Sequence, residues 1–283
     1  MSVSSSKVIT HPNGQKTHVL VDDFPDPWLR SEAILIQHGF ARHSVFWYHW
    51  IPFLSRHYRI IRRDARGHGL SSYPLRDSPY AYTAKTIVDE IVDTLDQLKL
   101  EKVHFLGEST SGMVGSILAA RYPERLRSLI ICSSPSFLPP GALELFSFGY
   151  PSWPVACRKL GSRGWGEALS KVPGTVSVPD PEYVKWWIDQ VSVSDGEGLA
   201  SYAEFLSGLD ARPYYQDIEV PMLILAPANS AATRLEEQRG IQDQVKGSQL
   251  VVIEGKGHEI YVEKAEECQL AVKHFLESLK EET

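Results

Sequence analysis

The chain has 283 residues, of which 43% are hydrophobic and 23% charged, proportions typical of a globular protein rather than a disordered or fibrous one. Its net charge of -6 provides no basic surface for phosphates or anionic lipids, so we expect neither nucleic acid nor a membrane as a partner. No apolar run approaches the ~20 residues that span a bilayer, and the polar residues 1–14 lack the apolar centre of a signal peptide. These features predict a cytoplasmic protein, monomeric or homodimeric, that acts on a small molecule.

The pattern along the chain predicts an α/β fold with a mostly parallel sheet. Residues 8–10 and 17–21 flank a turn-forming Pro-Asn-Gly and predict a β-hairpin. Short apolar runs then alternate with helical stretches, which is typical of parallel strands joined by crossover helices that cover both faces of the sheet. The expected strands are residues 34–36, 58–61, 103–106, 129–132, 222–225 and 250–253, and the expected helices are residues 87–100, 113–122 and 265–279.

One long segment, residues 136–212, breaks this alternation. Proline and glycine recur there among many aromatic residues, which predicts an inserted, mainly helical cap on a core formed by residues 1–135 and 213–283. Most of these aromatics, taken singly, are better explained as a small local core, but together they indicate an apolar-walled site. As substrate contacts we select Trp153 and Trp187 from the cap, and Trp47 from the aromatic run at 46–50.

Ser109 carries the strongest chemical signal, because it stands at a sharp turn between an apolar strand and a helix. Such a nucleophile elbow needs small residues two positions to either side, where the strand and helix backbones approach closely. Gly107 and Ser111 occupy those positions, and the glycine that usually stands at the second is displaced to Gly112. We therefore expect Ser109 to be a nucleophile, held in a strained conformation that projects its hydroxyl.

With two further motifs, the chain resembles the α/β-hydrolase superfamily in the order of its core elements. His38-Gly39-Phe40 follows the strand at 34–36, and this resemblance implies that the backbone N–H groups of Phe40 and Thr110 form an oxyanion hole. Residues 64–72 are similar to the family's Asp-x-Arg-Gly-His-Gly-x-Ser loop, whose role is mainly structural. The resemblance implies an α/β-hydrolase fold with an inserted cap.

His258 is the candidate base. It ends a Gly-x-Gly-His segment after the last predicted strand, where the family carries its catalytic histidine. Imidazole ionises near neutral pH, so it can take the proton of a serine and return it to a leaving group. His104 lies inside a predicted strand and His11, His18 and His57 lie in peripheral segments, which favours His258 over them.

The carboxylate that normally completes such a triad is missing from both places where the family carries it. Ser230 stands where an aspartate is expected, with Asn229 beside it, and serines follow the strand at 129–132. Glu259 is next to His258, but neighbouring side chains on a loop usually diverge. Glu108, beside the nucleophile, is expected to face the core beneath the elbow.

Three explanations for the missing acid stay open. A neutral acceptor, Ser230 or alternatively Asn229, orients the imidazole, as an asparagine does in proteases of the papain kind. Alternatively, a displaced carboxylate such as Glu236 or Glu144 reaches the histidine, or the triad is defunct. We favour Ser230, which predicts weaker catalysis or an easier reaction than a full triad supports.

These residues predict a serine hydrolase that cleaves an ester or lactone of a small to medium, largely apolar substrate through an acyl-enzyme. The alternatives are carbon–carbon bond hydrolysis or a lyase or cyclase step on the same fold, or a ligand receptor without turnover. No metal or cofactor is expected, because the histidines lack ligand spacing and no glycine-rich phosphate loop follows a strand. The cysteines Cys132, Cys157 and Cys268 also lack metal-site or redox spacing and are expected to be reduced and buried.

Overall fold

The sheet of this protein has eight strands in the spatial order β1-β2-β4-β3-β5-β6-β7-β8. The computed structural model describes residues 4–26, 28, 31–74 and 82–281. β1 and β2 form an antiparallel hairpin, β2 runs antiparallel to β4, and the other neighbours are parallel. The strands are β1 (Ser4–Thr10), β2 (Lys16–Asp22), β3 (Ala33–Gln37), β4 (Arg59–Arg63), β5 (Val103–Glu108), β6 (Leu126–Cys132), β7 (Met222–Pro227) and β8 (Gln249–Ile253).

Helices connect these strands. The α-helices are α1 (Ile51–Leu54), α2 (Ala84–Gln97), α3 (Thr110–Arg121), α4 (Pro140–Ser147), α5 (Trp153–Ser170), α6 (Pro181–Val191), α7 (Gly196–Ser207), α8 (Leu235–Gln244), α9 (Ile260–Glu263) and α10 (Ala265–Glu281). Short 3₁₀ helices span Ser44–Trp50, Pro123–Arg125 and Arg212–Asp217. In the part of the chain that the structure covers, none of the helices is both long and apolar enough to cross a bilayer.

The predicted hairpin and the six predicted strands of the parallel region are confirmed, and with them the α/β-hydrolase fold. Every residue of β3, β5 and β7 is buried, as expected for central strands covered on both faces. The helix predicted at 87–100 begins three residues earlier, at Ala84, because Thr83 and Thr86 form a capping box that satisfies the first backbone N–H groups.

Four helices, α4 to α7, lie between β6 and β7 in the segment where an inserted cap was predicted. Helix α5 packs against α4, α6 and α7, and it bends at Gly161, whose φ of 68° suits glycine. The two ends of this segment meet, because Phe137 and Asp210 form an antiparallel bridge and the backbone N–H of Ala211 donates to the carbonyl of Ser136. The inserted helices therefore leave and rejoin the sheet at one point.

That point lies at the carboxyl edge of the parallel strands. The loops after β3, β5, β6, β7 and β8 all emerge at this edge, where ligands bind in open α/β sheets. Four of these loops carry the predicted site residues. Phe40 of the oxyanion segment follows β3, Ser109 follows β5, Ser230 follows β7 and His258 follows β8.

Candidate active site

Ser109 lies between β5 and α3 with φ of 53° and ψ of −128°, a conformation that is strained for a residue other than glycine. The strand and the helix approach closely here, since a Cβ on Gly107 would lie 2.5 Å from the carbonyl oxygen of Ser111. Ser111 occupies the position that usually holds glycine, and its hydroxyl donates to the carbonyl of His38 at 2.5 Å. The serine at this position is thus accommodated by a hydrogen bond to the neighbouring loop.

His258 reaches Ser109 from the loop after β8. Its Nε2 lies 2.9 Å from the hydroxyl oxygen of Ser109. Two contacts hold the histidine backbone: Ser133 donates its hydroxyl proton to the carbonyl of His258 at 2.8 Å, and the N–H of His258 donates to the carbonyl of Gly174 at 3.0 Å. The base is thereby anchored both to the sheet and to the inserted segment.

Ser230 occupies the third position, with its hydroxyl oxygen 3.1 Å from Nδ1 of His258. The backbone N–H groups of Ala232 and Thr233 donate to the same oxygen at 3.1 and 3.2 Å. Asn229 points elsewhere and donates its side-chain amide to the carbonyl of Gly255 at 3.2 Å. Of the two neutral candidates, Ser230 is the one that contacts the imidazole.

Neither displaced carboxylate replaces Ser230. Glu144 and Glu236 are both exposed, and within the described ranges no aspartate or glutamate pairs with Nδ1 of His258. Burial, and after it the positive charge of Arg42, lowers the pKa of His258 to about 3. The imidazole is therefore neutral at neutral pH and can accept a proton.

Phe40 and Thr110 lie where the oxyanion hole was predicted. Phe40 follows β3, Thr110 is the first residue of α3, and both line the same cavity as Ser109. Over the residues that the structure covers, no protein acceptor receives either backbone N–H. Both N–H groups are thus available to a ligand, and the one on Thr110 benefits from the positive end of the α3 dipole.

The cavity at Ser109 is small and largely apolar. Its volume of about 40 Å³ accommodates about three water molecules. The indole N–H of Trp165 donates to the carbonyl of Phe146 at 3.1 Å, whereas the indole N–H of Trp153 is buried without a hydrogen-bond partner in the described chain. The lining consists of Phe40, Arg42, Ser109, Thr110, Pro135, Leu138, Phe146, Trp153, Trp165, Leu169, Thr175, Ala232 and His258.

The structure places one of the three predicted substrate contacts at the cavity and the other two away from its lining. Trp153 lines the cavity, but Trp47 stacks on Tyr261 at 4.4 Å between ring centroids and is buried in the core. Trp187 is also buried and donates its indole N–H to Glu259 at 2.8 Å. Sequence reasoning missed Trp165; its signal was the density of aromatics in the inserted segment, which does not show which ones face the site.

Arg42 and Glu259 form a buried ion pair beside the histidine that sequence reasoning did not identify. The guanidinium donates to Glu259 Oε1 from Nη2 at 2.6 Å and from Nε at 3.2 Å, and to the carbonyl of Phe40 from Nη1 at 3.0 Å. The carboxylate of Glu259 also accepts from Tyr183 at 3.3 Å. As expected for neighbours on a loop, Glu259 turns away from the imidazole of His258.

The loop at 64–72 has the structural role that was expected. Asp64 accepts hydrogen bonds from the backbone N–H groups of Ser44 and Leu70 at 2.7 and 3.0 Å, and it contacts Nδ1 of His18 at 2.8 Å. Despite burial, these partners hold the pKa of Asp64 well below its usual range. The carboxylate joins the hairpin, the segment after β3 and its own loop into one support beneath the site.

Within the described ranges, no cluster of three or more His, Cys, Asp or Glu side chains could hold a metal ion. The thiols of Cys132, Cys157 and Cys268 are unpaired and buried.

Comparisons with known proteins agree with the fold. A family model described as alpha/beta hydrolase fold matches residues 32–155, and one described as TAP-like protein matches residues 209–283. A 3-oxoadipate enol-lactonase of Acinetobacter baylyi is 24% identical over 253 residues, which cover 87% of this chain and 88% of the relative.

Two solved structures show the same fold. An enol-lactonase from Burkholderia xenovorans LB400 superposes with a TM-score of 0.84 at 24% identity, covering 95% of this chain and 99% of that one. A thermophilic esterase from Thermogutta terrifontis superposes with a TM-score of 0.81 at 23% identity, covering 97% and 99% of the two chains. The sheet order, the family matches and these likenesses agree, and the chain belongs to the α/β-hydrolase superfamily.

Proposed function

We propose that this protein is a serine hydrolase that cleaves ester or lactone bonds through an acyl-enzyme. The observation that carries the proposal is the 2.9 Å contact between the hydroxyl of Ser109, in its strained turn, and Nε2 of a neutral His258. A nucleophile within hydrogen-bond reach of a base, with a third group orienting that base, is the arrangement that activates serine.

The reaction begins when Ser109 Oγ attacks the carbonyl carbon and its proton passes to Nε2 of His258. The negative charge that develops on the carbonyl oxygen is stabilised by the N–H groups of Phe40 and Thr110. His258 then returns the proton to the departing alkoxide or enolate oxygen, which leaves an acyl group on Ser109. Water, deprotonated by the same imidazole, attacks the acyl carbon and releases the acid.

The lining of the cavity favours a small to medium, largely apolar substrate with one further acceptor oxygen. Phe40, Phe146 and Trp165 supply the apolar walls, and the unpartnered indole N–H of Trp153 is a donor that a substrate oxygen would satisfy. Because the cavity measures only about 40 Å³, substrate entry requires the inserted helices to move. We assign residues 136–212 the role of a cap for this reason.

The relatives support ester or lactone cleavage in particular. The similar proteins from Acinetobacter baylyi and Burkholderia xenovorans are named as enol-lactonases, and the one from Thermogutta terrifontis as an esterase. An enolate is a better leaving group than an ordinary alkoxide, so an enol-lactone suits a site whose third member is neutral.

A labelling experiment tests this function. A fluorophosphonate should label the parent protein on Ser109, and Ser109→Ala should lose labelling and at least about 1,000-fold in activity on a panel of esters and enol-lactones. The control is Ser111→Ala, which removes a nearby hydroxyl that contacts the carbonyl of His38 instead of the base and should keep the label. An active, labelled Ser109→Ala variant would contradict the proposal.

The neutral third member supports a second candidate, carbon–carbon bond hydrolysis or a lyase or cyclase step at the same site. Acyl-enzyme trapping separates the two. A carbon–carbon substrate turned over without an acyl group on Ser109 favours the second candidate, and tight ligand binding without turnover or label indicates a receptor.

A further inference from the structure

Glu108, the last residue of β5, is a buried carboxyl group directly beneath the nucleophile. Its Oε2 accepts the backbone N–H of Gly39 at 2.6 Å. A Cβ at position 39 would collide with that oxygen and with the Cβ of Ser109, so the glycine of the oxyanion segment makes room for this carboxyl group. Glu108 therefore contacts the oxyanion segment directly through Gly39.

The second oxygen of Glu108 has no hydrogen-bond partner. Oε1 is buried, no described residue donates to it, and it lies 3.7 Å from Nε2 of His258. Among the residues that the structure covers, no other carboxylate lies within 4 Å of a ring nitrogen of that histidine. A buried oxygen acceptor without a donor is costly, which calls for an explanation of why this one is kept.

His258 lacks a negative charge at Nδ1, and the Glu108 carboxylate could supply one near Nε2. Once Nε2 takes the proton of Ser109, a positive imidazolium stands in a buried site, and burial already lowers the pKa of His258 to about 3. A triad normally stabilises that charge with a carboxylate at Nδ1, but here Nδ1 contacts the neutral hydroxyl of Ser230 at 3.1 Å.

The charged groups around Glu108 allow it to ionise near neutral pH. Burial raises the pKa of Glu108 to about 7 and the negative charge of Glu259 adds to the effect, whereas the Arg42 guanidinium and the Gly39 N–H oppose it. The other titratable groups that face Glu108 are His258, Tyr183, Tyr261 and Cys132, and burial keeps all four uncharged at neutral pH.

We propose that the Glu108 carboxylate stabilises the His258 imidazolium from the Nε2 side and so replaces the missing triad acid. This inference rests on the proposed serine hydrolase function. The proton still moves from Ser109 Oγ to Nε2 and on to the leaving oxygen, and Glu108 gains and loses no proton. Glu108 acts through His258 and is therefore a positioning residue.

A double-mutant cycle tests this role. Glu108→Gln keeps an oxygen for the Gly39 N–H and removes the charge, so kcat should fall about 30-fold with KM nearly unchanged. Ser230→Asp places a carboxylate at Nδ1, where the N–H groups of Ala232 and Thr233 are positioned to donate to it. In the Ser230→Asp background, Glu108→Gln should reduce kcat less than about threefold.

The pH profile is a second readout that a structural role would not change. In the parent, kcat/KM should rise with pH through an inflection near 7, because Glu108 must be ionised to act. This inflection should disappear in Glu108→Gln. Glu108→Asp retains the charge one methylene farther from His258, so it should keep the inflection with an intermediate kcat, and it remains informative if the glutamine variant does not fold.

Glu259→Gln is the matched control, since it makes the same change in a buried carboxylate that pairs with Arg42 and does not contact the imidazole. At a pH above the inflection, where Glu108 is ionised with or without the charge of Glu259, whatever activity Glu259→Gln loses should be lost equally with Ser230 and with Ser230→Asp. The proposal is overturned if Glu108→Gln also loses the same activity with Ser230 as with Ser230→Asp. It is likewise overturned if Glu108→Gln leaves kcat unchanged or retains the inflection. Fluorophosphonate labelling of Ser109 in the same variants distinguishes this failure from failure of the hydrolase itself, which would abolish labelling in the parent as well.

Discussion

The hydroxyl oxygen of Ser230 lies 3.1 Å from Nδ1 of His258, at the place where a hydrolase of this superfamily ordinarily has a carboxylate. The backbone N–H groups of Ala232 and Thr233 hold that oxygen in position. In the tautomer that carries the ring proton on Nδ1, this proton is donated to Ser230, and Nε2 is free to accept the proton of Ser109. A hydroxyl can therefore orient the base, although it contributes no negative charge.

Ser230→Ala should lower kcat about tenfold, which corresponds to one orienting hydrogen bond of about 1.4 kcal/mol. Asn229→Ala is the matched control, because Asn229 contacts the carbonyl of Gly255 and should affect kcat little. Steady-state kinetics on a cleaved ester or enol-lactone provide the measurement. Equal kcat values for Ser230→Ala and the parent would show that Ser230 does not orient the base.

Trp153→Phe should raise KM about fivefold for substrates that carry an acceptor oxygen remote from the scissile carbonyl. The reason is that this variant removes the indole N–H of Trp153, a residue that lines the cavity, and this N–H is buried without a hydrogen-bond partner in the described chain, so a substrate oxygen would satisfy it. The same change should have little effect on substrates without that oxygen.

Trp165→Phe is the comparison for Trp153→Phe. The indole N–H of Trp165 already donates to the carbonyl of Phe146, so its removal should not discriminate between the two substrate sets. If Trp153→Phe and Trp165→Phe change the KM ratio of the two sets equally, Trp153 has no special role in binding.

Arg42→Met should destabilise the fold by about 3–5 kcal/mol, because it leaves the buried carboxylate of Glu259 without its counter-charge. Urea unfolding measures this change in the free energy of unfolding. The control is Lys85→Met, which breaks an exposed pair with Asp89 and should leave the unfolding midpoint nearly unchanged. A midpoint for Arg42→Met close to that of the parent would show that the pair contributes little.

The protein should lose stability as the pH falls from about 6.5 towards 4. Burial lowers the pKa of His68 to about 4, so below pH 6.5 the unfolded chain binds a proton that the folded chain excludes. The contribution of His68 is fully present above pH 6.5, and about 3 kcal/mol of it is lost by the time the pH reaches the folded pKa. Thermal unfolding across this pH range measures the loss.

His68→Gln should reduce the slope of Tm against pH, because the buried titrating group is absent. His57→Gln is the control, since His57 is exposed, and it should leave the slope as in the parent. Parallel curves for the parent and His68→Gln would show that other groups cause the acid sensitivity.

The sequence alone determined the order of elements and the placement of Ser109, His258 and Ser230. Each stands in a loop directly after a strongly apolar strand, and the carboxyl ends of parallel strands meet at one edge of the sheet. Local chemistry therefore sufficed to bring the side chains of Ser109 and His258 to within 2.9 Å across 149 positions of the chain. Ser230 could be found by counting from the end of its strand.

Only the tertiary structure decided which aromatics face the cavity and where the carboxylates lie. Trp47 and Trp187 have the same composition signal as Trp153, but packing against Tyr261 and Glu259 places them in the core. The approach of Glu108 to Nε2 of His258 depends on how one loop folds over another strand. Such contacts are set by packing between distant segments, which leaves no periodicity or spacing in the sequence.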